Sequence, residues 1–308
     1  MQIPQSNIEG LTFGVEIETT IPVASGIQVG GYHRGCNVIQ GTVGALTSAA
    51  PTFEGAHWKA EADCSILVRH DGHIACEFVS PVLRGEAGVR HLVEFIEFLR
   101  RLGASVNRSC GFHVHVGVSG AAGGHEVTDY IDRLARLAGF NTKALYAQTG
   151  TLARETGHYC APLNGATKQA VKRIKRTKST SGTALGNRYQ LLNLTNLPRT
   201  GTVEFRCFAG TLNVSKALLH VFSVLALCII ARKAKTPSVW DNRPLTGTKA
   251  ITNFLKVRPM LRIVGGETFA THYRRMLAKA MEMAGKYDLA QAAVDAATLT
   301  AGKRPASH

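Results

Sequence analysis

Three short segments each carry two chemically competent side chains at a spacing of two residues. They are Glu16 and Glu18 in Phe13-Gly14-Val15-Glu16-Ile17-Glu18, His113 and His115 in Gly111-Phe112-His113-Val114-His115-Val116, and Glu204 and Arg206 in Val203-Glu204-Phe205-Arg206-Cys207. Side chains of a β-strand alternate between its two faces, so members of each pair point the same way. Val15, Ile17, Phe112, Val114, Val203 and Phe205 would then face a core. Three carboxylates, two imidazoles and a guanidinium would share the opposite surface, a costly arrangement without a neutralising metal or anion.

Each pair alone has a plainer reading. Acidic residues alternating on a strand usually form a solvated face, a His-x-His pair is as often structural as ligating, and Glu204-x-Arg206 could be a same-face ion pair. Their joint occurrence favours a site. A carboxylate-rich donor set with one nitrogen suits Mg²⁺ or Mn²⁺, whereas zinc prefers thiolates and several histidines. Arg206 beside such a site would hold a phosphate. Two other readings use the same residues differently. One is a zinc hydrolase ligated by His113 and His115. The other is a basic nucleic-acid-binding protein built on Lys168–Lys178, although no standard nucleic-acid motif accompanies that segment.

The 308 residues suffice for a full core, and 45% hydrophobic content is that of an ordinary globular protein. A net charge of +15 attracts phosphates, whether of nucleotide, nucleic acid or acidic protein. Seven cysteines without CxxC spacing, and no secretory pattern over Met1–Thr19, lead to an expectation of reduced thiols and a cytoplasmic location. Cys110 and Cys160 read as packing residues. The most apolar stretch, Ala217–Ala231, is shorter than the roughly 20 residues of a membrane span and contains His220 and Ser223. It is expected to be a buried helix capped by Ser215, within a longer helix over Asn213–Lys235; no membrane association is expected.

The elements that must position these residues follow from periodicity. Leu11–Thr20 reads as a strand, followed by a Gly-rich stretch over Ile21–Thr52. Trp58–Ile66 and Ile74–Val82 read as strands around the turn Arg69-His70-Asp71-Gly72, where Asp-Gly is a hairpin signal. Val89, Leu92, Val93, Ile96 and Leu99 have helical spacing, with Gly103 as the cap. A strand over 111–118 precedes helices near Glu126–Leu137 and Thr142–Leu152. Lys168–Lys178 holds six basic residues and reads as a mobile loop or a helix end beside one. Tyr189–Asn196 and Thr202–Phe208 form a strand pair, and the chain beyond Met260 is helical. Strand runs with segregated helices predict an α+β fold, one domain over 1–300 and a flexible tail over 301–308.

An ordered set of these segments resembles the amidoligase family, the carboxylate–amine ligases related to glutamine synthetase and glutamate–cysteine ligase. The matching pieces are Phe13–Thr19, Trp58 with Asp63-Cys64-Ser65, Glu77–Pro81, Gly111–Val116, Leu192-Asn193-Leu194, Thr202–Arg206 and Gly210–Asn213. The resemblance implies a glutamine-synthetase-like curved, mostly antiparallel sheet with helices on its outer face, and a funnel receiving ATP at one end. It implies a nucleotide-side metal held by Glu16, His113 and Glu204, and a second held by Glu18 and Glu77. By the same resemblance, His115 faces the ATP phosphates, Arg206 stabilises the transferring phosphoryl group and Arg188 is a second clamp. Asp63 either binds substrate or caps the strand turn. The implied reaction joins an amino-acid, peptide or protein carboxylate to an amine, using ATP and Mg²⁺ (or Mn²⁺) through an acyl phosphate.

Overall fold

The computed structural model describes residues 11–31, 44–45, 50–124, 126–180, 185–232, 245–255 and 258–302. Its centre is an antiparallel sheet in the order β2-β3-β4-β1-β6-β8-β7, with β5 pairing β1. In chain order the strands are β1 (Thr12–Pro22), β2 (Gly44–Ala45), β3 (Lys59–Glu61), β4 (His73–Val79), β5 (Leu83–Arg84), β6 (Gly111–Gly117), β7 (Leu192–Asn193) and β8 (Thr202–Ala209). The helices are α1 (Gly85–Leu102), α2 (Val118–Ala122), α3 (Val127–Phe140), α4 (Thr142–Ala147), α5 (Ala153–Thr156), α6 (Gly165–Thr177), α7 (Leu197–Thr200), α8 (Val214–Ile230), α9 (Gly247–Phe254) and α10 (Arg258–Gly302). The mixture of helices with an antiparallel sheet agrees with the α+β expectation.

Strand alternation builds the core as the sequence implies. Phe13, Val15, Ile17, Phe112, Val114, Val203 and Phe205 are all buried. The apolar face of the sheet packs on helices: Phe78 of β4 meets Phe95 of α1 edge-on at 5.6 Å, and Phe208 of β8 stacks on His220 of α8 at 4.2 Å. The periodic face of α1 is buried through Val89, Leu92, Ile96 and Leu99, while Val93 is half-buried. Gly103 ends the helix at φ 86°, where a residue with a Cβ would be strained. Trp58 stacks on Phe95 at 3.5 Å and donates its indole N–H to His91 Nε2 at 2.9 Å, pinning the start of β3 onto α1. Among the described residues no helix is long and apolar enough to cross a membrane.

Several boundaries differ from the sequence reading. The strand expected over Trp58–Ile66 is limited to Lys59–Glu61, because Asp63 starts a turn by accepting from Ser65 N at 2.7 Å. The second strand ends at Val79, and Val82 is exposed. Helix α8 is capped by Asn213, whose side chain accepts from Lys216 N at 3.0 Å, rather than by Ser215, which lies within the first turn. The basic segment is helical through Thr177, with Val171 and Ile174 buried, and α6 packs on α3. Lys175 pairs with Asp132 at 3.1 Å and Lys178 with Asp129 at 3.2 Å, so this segment is the helical alternative and not a loop. Residues 32–43 and 46–49 of the Gly-rich stretch and 303–308 of the tail lie outside the described residues.

Candidate active site

The pairing register brings the polar faces together. Glu16 stands opposite His113 across β1 and β6, and Glu18 opposite Glu77 across β1 and β4. Glu204 stands opposite His115 across β6 and β8, and opposite Asn193 across β8 and β7. Near its centre the β6–β8 ladder slips. Phe112 pairs with Phe208 but Val114 with Phe205, so Arg206 and Cys207 together oppose His113. This β-bulge resets the alternation: Glu204 and Arg206 face the site, yet Phe208 returns to the core instead of following them.

The side chains converge closely. His113 Nδ1 lies 2.9 Å from Glu16 Oε2 and 3.5 Å from Glu204 Oε1, while its Nε2 is 3.4 Å from Glu18 Oε1. His115 Nε2 lies 3.0 Å from Glu16 Oε1. Arg206 Nη1 donates to Glu204 Oε1, and its Nε to the Tyr159 carbonyl at 3.3 Å. The other Glu204 oxygen accepts from Asn193 Nδ2 at 2.7 Å. Gly111 is part of this packing. Its N–H donates to Glu18 Oε2 at 2.5 Å, and a Cβ there would lie 2.7 Å from His113 Nε2 and 3.2 Å from Glu18 Oε1.

Charge is distributed unevenly. Burial works against ionised Glu16, yet the His115 and His113 imidazoles outweigh it and hold this carboxyl well below its usual range. Burial likewise opposes the His115 cation, and Glu16 and Glu204 outweigh it to push the imidazole up. Glu77 goes the other way: burial and then the neighbouring Glu16, Glu18 and Asp63 raise its carboxyl well above the ordinary value. Three ligand sets follow from atoms lying within 4.8 Å of one another: Glu16 with Glu77 and His113, Glu16 with His115 and Glu204, and Glu18 with Asp63 and Glu77. Each offers two or three carboxylates and at most one imidazole, a donor set for a hard divalent cation.

Two cavities meet at Glu16. The larger, about 610 Å³, includes His115, Lys59 and Ser119; the smaller, about 270 Å³, includes Asp63, Glu77, Arg188 and Arg206. All nine residues singled out in the sequence lie in this region or line it. Arg188 reaches the smaller cavity with its guanidinium over the Tyr189 ring at 5.4 Å. Asp63 caps its turn, as one of the two readings above expects, and also lines the smaller cavity.

The family model described as "Putative amidoligase enzyme" matches residues 9–227. The chain belongs to the amidoligase family. At family level it is therefore a carboxylate–amine ligase, an enzyme acting on a carboxylate and an amine. Solved structures similar to it include an apo GmaS without ligand, at 14% identity and a TM-score of 0.42, covering 89% of this chain and 69% of that one. A bifunctional glutathione synthetase from Pasteurella multocida is 12% identical at a TM-score of 0.42, covering 93% of this chain, which spans 51% of that enzyme. No curated protein matches.

Sequence reasoning passed over three site residues of this amidoligase. Asn193 was visible only as part of a motif, although its position opposite Glu204 makes it the carboxylate's second partner. Arg154, on the four-residue α5, is buried and donates to the Arg206 carbonyl at 2.7 Å. Arg199, on α7, lines both cavities. No local pattern marks the last two, because each arrives from a connection between strands.

Proposed function

We propose that the enzyme is an ATP-dependent carboxylate–amine ligase working through an acyl phosphate, with residues 1–300 acting as one cytoplasmic catalytic unit. In this reading the antiparallel sheet is the curved, glutamine-synthetase-like sheet of the related ligases. The observation that carries the proposal is the convergence of Glu16, Glu18, Glu77, His113 and Glu204 beside Arg206, where two cavities meet. Such crowding of buried carboxylates, with Glu77 pushed up by its neighbours, fits divalent cations. Glu16, His113 and Glu204 would hold a nucleotide-side Mg²⁺ or Mn²⁺, with His115 within reach of the same group. Glu18 and Glu77 would hold a second, joined by Asp63. When bound, these ions neutralise phosphate charge as it shifts toward the leaving diphosphate.

ATP is a substrate here, received by the larger cavity with His115 facing its phosphates. The acid enters the smaller cavity, where Arg188 is the second clamp, beside Arg206, on the transferring group. A carboxylate oxygen of the acid attacks the γ-phosphorus, forming an O–P bond as the bond to the β–γ bridging oxygen breaks and ADP leaves. Arg206, fixed by Glu204 and the Tyr159 carbonyl, offsets charge on the transferring oxygens. The amine nitrogen then attacks the acyl carbon, loses a proton, and expels inorganic phosphate as the amide forms. No side chain serves as a covalent nucleophile.

The test is ADP release from Mg-ATP across a panel of amino acids, diamines and acidic peptides, with mass spectrometry of the products. ADP, phosphate and amide formed in equal amounts, and only with both an acid and an amine, is the expected result. Amide hydrolysis without nucleotide, together with stoichiometric zinc retained through purification, would establish a hydrolase instead.

A further inference from the structure

Arg199 borders both cavities, a position it shares with Glu16 and Asn196. Its base is fixed: Leu197 is buried, Gly201 N–H closes the short helix onto the Leu197 carbonyl at 3.0 Å, and Val118 N–H donates to the Gly201 carbonyl at 2.9 Å. The guanidinium itself is exposed and uncommitted. Its Nη2 makes one long contact, 3.4 Å, to the neutral Asn196 Oδ1, and among the described residues it forms no ion pair. Two other arginines of the site are already engaged, Arg206 by Glu204 and Arg154 by the Arg206 carbonyl, while Arg188 borders only the smaller cavity. Asn196 in turn donates to Glu204 Oε2 at 3.4 Å, so Arg199 is linked through one amide to a carboxylate of the site.

A planar cation without an anionic partner, at the boundary between two cavities, is suited to an anion that crosses it. We propose that Arg199 binds the terminal phosphoryl group of the nucleotide and distinguishes a triphosphate from a diphosphate. One side chain facing both cavities can hold the phosphoryl oxygens while the bond to the leaving diphosphate is exchanged for the bond to the acid. The inference rests on the nucleotide occupying the larger cavity, as proposed above, and adds a residue outside the segments that carried the resemblance.

Calorimetric titration with Mg-ATP and Mg-ADP, without acid or amine, separates the two propositions. The unaltered protein should bind Mg-ATP about tenfold more tightly than Mg-ADP, the scale of one charge-assisted phosphate contact. Arg199→Ala should bring the two affinities together while leaving that for Mg-ADP within about twofold and the melting temperature unchanged. Arg199→Lys, which keeps a point charge, should retain part of the difference. An Ala variant that preserves the full ATP preference, or weakens both nucleotides equally, overturns the role of Arg199 but leaves the ligase reading intact. Absence of nucleotide binding by the unaltered protein overturns both.

Discussion

Removing the Arg206 guanidinium would leave Glu204 buried beside Asn193 with its cationic partner gone. Breaking such a pair costs about 3–5 kcal/mol, so Arg206→Ala tests stability more than chemistry. Arg206→Lys keeps the charge and loses the planar fork; it should lower turnover roughly 100-fold with a near-native melting temperature. Steady-state ADP release and a thermal melt on the same preparation check this, and full turnover by the Lys variant would remove Arg206 from phosphoryl transfer. Glu77 offers a reading through pH. Burial, then Glu16, Glu18 and Asp63, raise its carboxyl, so above about pH 4.5 the folded protein binds a proton that the unfolded chain has released. Metal-free protein should therefore lose stability as pH rises from that point, and Glu77→Gln should flatten the decline and raise the melting temperature at pH 7. Saturating Mg²⁺ should stabilise the unaltered protein by about 5 °C at pH 7, with a much smaller effect on the Gln variant. An identical Mg²⁺ response in both would exclude Glu77 as a ligand.

At the scale of elements, α3 is fixed at its start by Glu126, which accepts from Thr128 N at 3.0 Å and Asp129 N at 2.7 Å. Hydrogen bonding to Thr128 is the largest influence in lowering this exposed carboxyl to about 2. Glu126→Ala should cost about 1 kcal/mol at pH 7, the usual value of an N-cap. Because the folded value is depressed, the contribution is complete above pH 4.5 and fades as pH falls toward 2, so denaturant midpoints of the two proteins should converge in acid. The strands β1, β4, β6 and β8 and the helix α1 were legible because two-residue and helical periods are strong signals. Once those strands pair, Glu16, Glu18, Glu77, His113 and Glu204 have to share a face. The bulge at Arg206 and Cys207 was not legible, since nothing in Phe205-Arg206-Cys207-Phe208 marks one extra residue; it appears only when β8 is laid against β6. Asn213 and Ser215 are both competent helix caps, and the extended backbone of Asn213 decides between them. Arg154 and Arg199 reach the site through chain connections whose course depends on the assembled sheet.

Over the whole molecule, the net charge of +15 is opposite in sign to the cluster of carboxylates at the candidate site. The outer field should draw a polyanion toward the molecule, while capture depends on the few cations at the cavities. These contributions differ in range. Between about 0.01 and 1 M salt the screening length falls from about 30 to 3 Å, which removes steering but spares close contacts. The KM for Mg-ATP should therefore rise several-fold over that range with kcat unchanged. Helix α6 provides the discriminating variant. Lys172 and Arg176 are exposed on it and form no ion pair among the described residues, whereas Lys175 and Lys178 are held by Asp132 and Asp129. Reversing Lys172 and Arg176 to Glu should raise KM at low salt through the weakened field, and the difference should vanish at high salt. A defect persisting at 1 M salt would mean that α6 touches a substrate directly. Salt-resistant loss of sequence-selective nucleic-acid binding in the same variant would instead identify the helix as a nucleic-acid surface, because base readout depends on close contacts that outlast the screened phosphate attraction.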